Sequence, residues 1–344
     1  MVDEMDLLSG MEAGEPLKPQ AFDEARAMLR AAMAVEDMPK TKTAARQRAW
    51  WGTRHKVGFR VTALAAAATA AALVVVSTSN PQPAAPAGSS PLRLLAAHIT
   101  ASSGPLPGNA SLIIRTQTEG SIPPQVSYNL YTDSGAFYGG GDKKSLMQAV
   151  TDHQNLADGI TALEVKAALD AVTGTLGTAR VQMVNASPND LGLGLSPAAR
   201  EKIWDRVMAA DKKLFKEKGV SSPPPLPTGK TLQEDEDNFV WNNSIDALAA
   251  GAGNPQVRGG VLRLLSTISG VSVANSTIGG EPILTLTAGP EVFGGAGKQV
   301  LVINGKTGMP IKSWVGGLGP KVPPSVDTYK VLRVTMADIE AGEF

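Results

Sequence analysis

The sequence predicts an α+β domain, an antiparallel sheet packed on helices, that a single transmembrane helix holds outside a membrane. Three observations lead to this prediction. An uncharged stretch of 19 residues lies early in the chain. The remainder begins with β-rich runs and continues into a helical middle. Its last quarter returns to short β-rich runs separated by turn residues, which indicates an antiparallel meander.

The uncharged stretch is residues 61–79, VTALAAAATAAALVVVSTS, which also lacks glycine and proline. As a helix it spans about 28 Å, close to the thickness of a bilayer's hydrocarbon core. Seven basic residues and no acid lie from Lys40 to Arg60, whereas no charge follows the stretch before Arg93. The positive-inside rule therefore predicts residues 1–60 in the cytoplasm and the rest outside. A buried alanine-rich helix and a cleaved signal peptide are the alternatives, but a signal peptide has a much shorter leader.

The cytoplasmic segment, residues 1–60, contains one amphipathic helical pattern. Phe22, Leu29 and Met33 share a narrow apolar stripe. One helix of this kind cannot form a core alone, so the first interpretation of this segment is a partly ordered tail. Docking of the stripe to a cytosolic partner, such as a regulator, is the functional hypothesis.

The end of this segment is basic and contains adjacent tryptophans. Trp50, Trp51, Arg54 and Arg60 suit the interface between an anionic inner leaflet and water. These four residues are therefore predicted to contact the bilayer. Residues 80–91, NPQPAAPAGSSP, follow the membrane stretch as a semi-rigid linker.

The outer domain is predicted to comprise residues 92–344. A helix that begins at Pro197 is the best supported element, since Ser196 is a good N-cap and proline suits the first helical position. Gly139-Gly140-Gly141 is expected to end the third strand, and Asn304-Gly305 is a turn signal. The predicted helices are 94–99, 143–155, 161–172, 197–218, 237–250 and 257–268. The predicted strands are 111–118, 126–132, 135–138, 271–275, 282–287, 299–303, 311–315 and 328–334.

Charge and motifs exclude most chemistries. Lys plus Arg and Asp plus Glu both total 32, so no nucleic-acid partner is indicated. The absence of cysteine excludes disulfides and thiolate metal sites, and His55, His98 and His153 lack metal-ligand spacing. Gly229-Lys230-Thr231 and Gly297-Lys298 lack the first glycine of a phosphate-binding loop, and no G-x-S-x-G motif occurs. We expect no metal, no cofactor and no enzymatic activity, with an envelope hydrolase as the alternative.

Two polar groups in the helical middle are weaker candidates for a site. The acidic run Glu234-Asp235-Glu236-Asp237 is interpreted as the solvated start of a helix, with a cation site as the alternative. Trp241, Asn242 and Asn243 form a polar-aromatic cluster, and a ligand-facing role is a second hypothesis for them.

The chain resembles an actinobacterial family of single-pass membrane proteins of unknown function, often encoded near sigma factors. The resemblance rests on the opening MVDEMDLLSG with AFDEARAMLRAAM, the basic entry to the Ala/Val helix, VLRLLSTISGVSVANSTIGGEPILTL, and VLVINGKTGMPIKS followed by TYKVLRVTMADI. Ser269 departs from the proline common in the family. The resemblance implies a LolA-like outer domain, a half-barrel whose sheet curls around helices and can shelter an acyl chain. Some relatives of that fold regulate anti-sigma factors from outside the membrane, although this chain lacks the His/Cys zinc motif of some anti-sigma domains.

From these observations we expect a non-enzymatic, membrane-anchored envelope protein. Its outer domain would bind an envelope protein or an apolar ligand, and it would sense or regulate for a sigma-factor system. A membrane-tethered carrier of lipid or lipoprotein is the alternative from a different functional class. The sequence identifies no ligand-binding residue in the outer domain.

Overall fold

The structure is a computed structural model, and it describes residues 90–344 apart from residues 103, 105, 218–224, 294–296 and 317–321. The predicted cytoplasmic segment, the transmembrane helix and all but the last residues of the linker lie outside the described residues. Among the described residues, no helix is both long enough and apolar enough to cross a membrane.

Eight antiparallel strands form one open sheet with the order β3-β2-β1-β8-β7-β6-β5-β4. All neighbours are consecutive along the chain except β1 and β8, which pair over ten residues at the middle of the sheet. The strands are β1 (Ala110–Glu119), β2 (Ile122–Thr132), β3 (Phe137–Gly140), β4 (Val271–Ile278), β5 (Glu281–Ala288), β6 (Lys298–Asn304), β7 (Pro310–Gly316) and β8 (Ser325–Val334).

The helices come mostly between β3 and β4, so the helical middle of the chain is an insertion into a meander. They are α1 (Pro91–Ala101), α2 (Lys143–Thr151), α3 (Ile160–Thr173), α4 (Leu176–Val184), α5 (Pro197–Glu217), α6 (Gly229–Ala250), α7 (Pro255–Leu265), α8 (Pro290–Phe293) and α9 (Met336–Ala341). Helix α7 packs against α1, α3 and α6, and α3 also packs against α4. These helices form a layer over one side of the sheet, which we call the helix-facing side.

The opposite side of the sheet carries a smaller core at the β1–β3 end. Leu112 and Leu130 of the sheet are fully buried there, together with Leu146 of α2 and Ile339 of α9. Both short helices begin with a capping box, at Asp142 and at Thr335.

Glycine allows the closest approach within the helical layer. A Cβ atom on Gly260 of α7 would lie 1.7 Å from the carbonyl oxygen of Ala168 in α3, so no side chain fits between the two backbones. A Cβ atom on the neighbouring Gly259 would meet the Thr100 side chain of α1. The glycine pair therefore lets α7 contact a helix on each side.

The predicted α+β class is confirmed, and an antiparallel sheet does pack on helices. All eight predicted strands and six predicted helices are present. Sequence reasoning missed α4, α8 and α9, and it did not foresee that β8 pairs with β1 and so unites the two groups of strands.

Three local predictions were wrong. Gly139 and Gly140 do not end β3 but belong to it, because a Cβ atom on Gly140 would lie 2.4 Å from the backbone nitrogen of Leu146 in α2. The predicted helix 143–155 ends at Thr151, since His153 adopts a left-handed φ of 54°. Helix α6 begins at Gly229 rather than at 237, so the acidic run lies inside the helix.

Candidate functional site

The helix-facing side of the sheet divides into a polar half and a packed half. Residues directly opposite each other on antiparallel strands share a face, and Arg115 of β1 lies opposite Ser127 of β2 and Tyr329 of β8. Asp327 in turn lies opposite Ser313 of β7. The polar half is therefore formed by β2, β1, β8 and the adjoining part of β7.

Hydrogen bonds and an ion pair connect the polar half across its strands. Arg115 Nη1 lies 4.0 Å from Asp327 Oδ2. The hydroxyls of Ser313 and Tyr329 are 2.8 Å apart. Burial and the charge of Asp327 raise the pKa of Tyr329 well above its ordinary value, so this phenol stays protonated.

Carboxyl groups from the helical layer face this polar half. Glu164 of α3 is only 2% exposed and interacts electrostatically with Asp246 of α6 and with Asp158, which precedes α3. Tyr131 of β2 interacts with all three carboxyls and with Arg115. We call these five residues the Glu164 cluster.

Burial is the main cause of an unusual protonation state in the Glu164 cluster. Burial, and then the charges of Asp246 and Asp158, raise the pKa of the Glu164 carboxyl to about 10. Burial and the charge of Asp246 likewise raise the pKa of the Tyr131 phenol. Glu164 is therefore a neutral carboxylic acid at pH 7, and its Oε2 atom makes no hydrogen bond to any residue that the structure describes.

The cluster reaches solvent beside an aromatic pair. The rings of Tyr131 and Phe137 stack with centroids 4.7 Å apart and an interplanar angle of 19°. Phe137 is half-buried, Asp246 is half-buried and Asp158 is exposed. The cluster thus combines carboxyl groups with an aromatic surface at a position that solvent can reach, which is an arrangement suited to a cationic group.

The packed half, formed by β5, β6 and the residues of α6 above them, has the opposite character. Leu286 and Ile303 have no exposed surface and Leu301 has 1%. Trp241 of α6 is fully buried and donates to Gln299 Oε1 at 2.7 Å. These side chains are therefore shielded from solvent by the protein's own residues, as in a packed core.

The weaker candidates from the sequence have structural partners. Trp241 is buried as described, and Asn243 donates to the backbone carbonyl of Met183 at 2.6 Å. The acidic run is not a solvated helix start throughout, because Asp237 is buried and pairs with Arg180 of α4 at 2.5 Å.

The described residues offer little for metal or triad chemistry. Within the described ranges, no group of three or more His, Asp or Glu side chains is placed to hold a metal ion. His98 and His153 are both exposed. No hydrogen bond joins either imidazole to a serine or carboxylate in the part of the chain that the structure describes.

The site residues predicted from sequence, Phe22, Leu29, Met33, Trp50, Trp51, Arg54 and Arg60, all lie outside the described residues, and those assignments stay predictions. The Glu164 cluster was missed. One signal could have revealed it, because Glu164 precedes Ala167, Ala168 and Ala171 on the buried face of α3. A carboxyl at an apolar position of a helical pattern is expected to be buried, and burial of such a group is costly unless it has a partner. Such a position is therefore a candidate for function.

Comparisons of the chain with protein-family models, with curated protein sequences and with solved structures find no match.

Proposed function

We propose that this chain is a non-enzymatic, membrane-anchored binding protein of the bacterial envelope. Residues 61–79 anchor it, residues 1–60 lie in the cytoplasm, and the α+β domain lies outside. The uncharged stretch and its basic flank support this topology. The LolA-like character of the outer domain is part of this proposal and rests on the resemblance in sequence.

We propose further that the outer domain binds a positively charged group of a partner, such as a lysine or arginine side chain. The observation that carries this proposal is the Glu164 carboxyl, which is buried beside two other carboxyls and leaves Oε2 without a hydrogen bond among the described residues. A buried carboxyl without a charged partner is costly, and a cation would convert that cost into an attractive interaction. The stacked rings of Tyr131 and Phe137 add a surface over which a cation is favoured.

The lipid-carrier alternative is less well supported. An acyl chain needs an apolar cavity, whereas Leu286, Leu301 and Ile303 are covered by the protein's own side chains. Lipid could enter between these residues only if the helical layer lifted from the sheet there. Extraction of lipid from the purified full chain tests this alternative, and a stoichiometric lipid would make it the leading one.

The binding proposal is tested with small cations on the purified full chain. Agmatine and cadaverine carry the charged groups of arginine and lysine, and 1-pentanol is the neutral control. We expect calorimetry to detect binding of at least one cation with proton release, because a cation beside Glu164 favours its ionised form. Glu164→Gln should weaken this binding at least about tenfold, whereas Glu281→Gln, at an exposed site on β5, should leave it unchanged. Equal affinity in the Glu164→Gln variant would overturn the proposed site.

The proposed topology has a separate test that uses the absence of native cysteine. A single cysteine at Ser134, an exposed turn residue, should react with a membrane-impermeant maleimide in intact cells. A cysteine at Ser9 should react only after lysis. The reverse pattern, or labelling of both sites in intact cells, would remove the anchored topology without affecting the cation test.

The proposed cytoplasmic link to a sigma-factor system depends on the stripe of Phe22, Leu29 and Met33. Replacing Leu29 and Met33 together with Asp should abolish binding to a purified sigma factor or its regulator encoded nearby. Unchanged binding in that double variant would exclude the stripe as the docking surface.

A further inference from the structure

The two edges of the sheet differ in how they are protected. Edge strands present unpaired backbone groups, and proteins usually block them with short strands, charges, proline, bulges or a covering loop. β3 has only four residues, and a loop contacts its outer edge at the first of them. Phe137 donates its N–H to Asn155 Oδ1 at 3.1 Å and accepts from the N–H of Leu156 at 2.8 Å.

β4 at the other edge has none of these protections in the described part of the chain. It has eight residues, VSVANSTI, with no charge and no proline, and its register with β5 is unbroken. Five of its residues are exposed. No further strand pairs with it among the residues that the structure describes.

The hairpin between β4 and β5 indicates which backbone groups face outward. Gly279 and Gly280 form a two-residue turn with φ values of 58° and 83°, as a type I′ hairpin requires. In such a hairpin Ile278 and Glu281 are a hydrogen-bonded pair, and hydrogen-bonded residues alternate along the strand. The outward N–H and C=O groups therefore belong to the four residues Val271, Val273, Asn275 and Thr277.

We propose that β4 pairs with β4 of a second copy of this chain, which joins two sheets into one of sixteen strands. A two-fold axis at Ala274 uses all four outward-facing residues of each copy. It places Ala274 opposite Ala274 of the second copy and Ser272 opposite Ser276. Because β4 carries no charge, no pair of like charges meets across this axis.

The state of the other edge, β3, limits the assembly to two copies and prevents a growing chain of copies. Because the outer edge of the short β3 is contacted by a loop, β4 is the edge of the described sheet that is open for pairing, and two β4 strands satisfy each other. The contact is therefore isologous and closes at a dimer. A single strand pair buries less area than stable free dimers usually do, so we expect an association that depends on concentration.

Cysteine cross-linking of the full chain tests this register without background, because the chain has no cysteine. Ala274 does not donate to the new partner, and facing residues of this kind have Cα atoms about 4.5 Å apart, which suits a disulfide. Ala274→Cys should form a covalent dimer on mild oxidation. Ser272→Cys alone should react at least about tenfold more slowly, since its own copy lies four residues away along the strand.

Two further variants separate pairing from random collision. A mixture of Ser272→Cys with Ser276→Cys chains should cross-link rapidly, because the axis places these residues face to face. Adding Asn275→Pro to Ala274→Cys should reduce cross-linking about tenfold. Proline at this position removes an N–H that faces the second copy but leaves the hydrogen bonds between β4 and β5 intact. A monomeric Ala274→Cys chain, equal rates for Ala274→Cys and Ser272→Cys, or no effect of Asn275→Pro would each overturn the proposal.

Discussion

The packed half and the polar half lie on the same side of one sheet and beneath the same helical layer, yet they are built from opposite kinds of residue. The packed half buries leucine, isoleucine and tryptophan side chains away from solvent. The polar half buries Arg115, Tyr131 and the Glu164 carboxyl, and Tyr131 and Glu164 incur a desolvation cost. The difference indicates that the packed half stabilises the domain, whereas the polar half is retained at a cost to stability and is the better candidate for function.

The largest loss of stability is expected from a substitution within the helical layer. Gly260→Ala would drive a Cβ atom into the backbone of Ala168, so α7 and α3 must separate. We expect a loss of more than about 4 kcal/mol in the free energy of unfolding, measured by urea denaturation. Gly177→Ala in α4 is the matched control, because nothing lies within 4 Å of its added Cβ atom. That variant should gain about 0.5–1 kcal/mol in the free energy of unfolding. If Gly260→Ala were as stable as Gly177→Ala, the helical layer would be loosely packed.

Substitution in the packed half should give the next largest loss of stability. Leu286→Ala removes a fully buried side chain from β5 and leaves a cavity, which should cost about 3 kcal/mol. Thr285 is the next residue on the same strand and points to the other side of the sheet, where it is half-buried. Thr285→Ala should cost less than about 1 kcal/mol. A small loss for Leu286→Ala would mean that the packed half can adjust around a void, and the lipid-carrier alternative would regain support.

The packed half was largely predictable from sequence, and the polar half was not. The alternation around Leu284 and Leu286, and the turn at Asn304-Gly305, predict strands directly because local pattern determines them. Pairing of β1 with β8 joins residues more than 200 positions apart, and no local signal specifies such a pair. The Glu164 cluster likewise combines Arg115 and Tyr131 of the sheet with carboxyl groups of the helical insertion, so its members come together only in the tertiary structure.

The polar half is predicted to make stability depend on pH. In the unfolded chain the Glu164 carboxyl titrates near pH 4.3, whereas its folded pKa is about 10. Between these values the folded protein holds one proton more than the unfolded chain, so stability falls as pH rises through this window. The slope from one proton is at most about 1.4 kcal/mol per pH unit.

Glu164→Gln tests this dependence because glutamine resembles the protonated carboxyl and does not titrate. We expect the variant to be more stable than the wild type at pH 8 and the two to converge toward pH 5, as measured by urea denaturation at each pH. The Glu281→Gln variant, at an exposed site, should keep the wild-type slope. A slope unchanged by Glu164→Gln would mean that another group is responsible and that the carboxyl is ionised in the folded state.

The smallest effect on stability is expected for two buried amide side chains, one in each half, and their replacement allows the halves to be compared directly. Gln117 in the polar half donates to Ser325 Oγ at 2.8 Å, but its Oε1 atom makes no hydrogen bond to the described residues. Asn238 on α6 donates to the carbonyls of Val292 and Phe293 at 2.7 and 3.0 Å. Replacing an incompletely bonded amide by an apolar side chain of similar size is nearly neutral, whereas removing a bonded one leaves its partners unsatisfied. Gln117→Leu should therefore change stability by less than about 1 kcal/mol and Asn238→Leu should cost about 2 kcal/mol; equal costs would mean that the polar half is as necessary to the fold as the packed half.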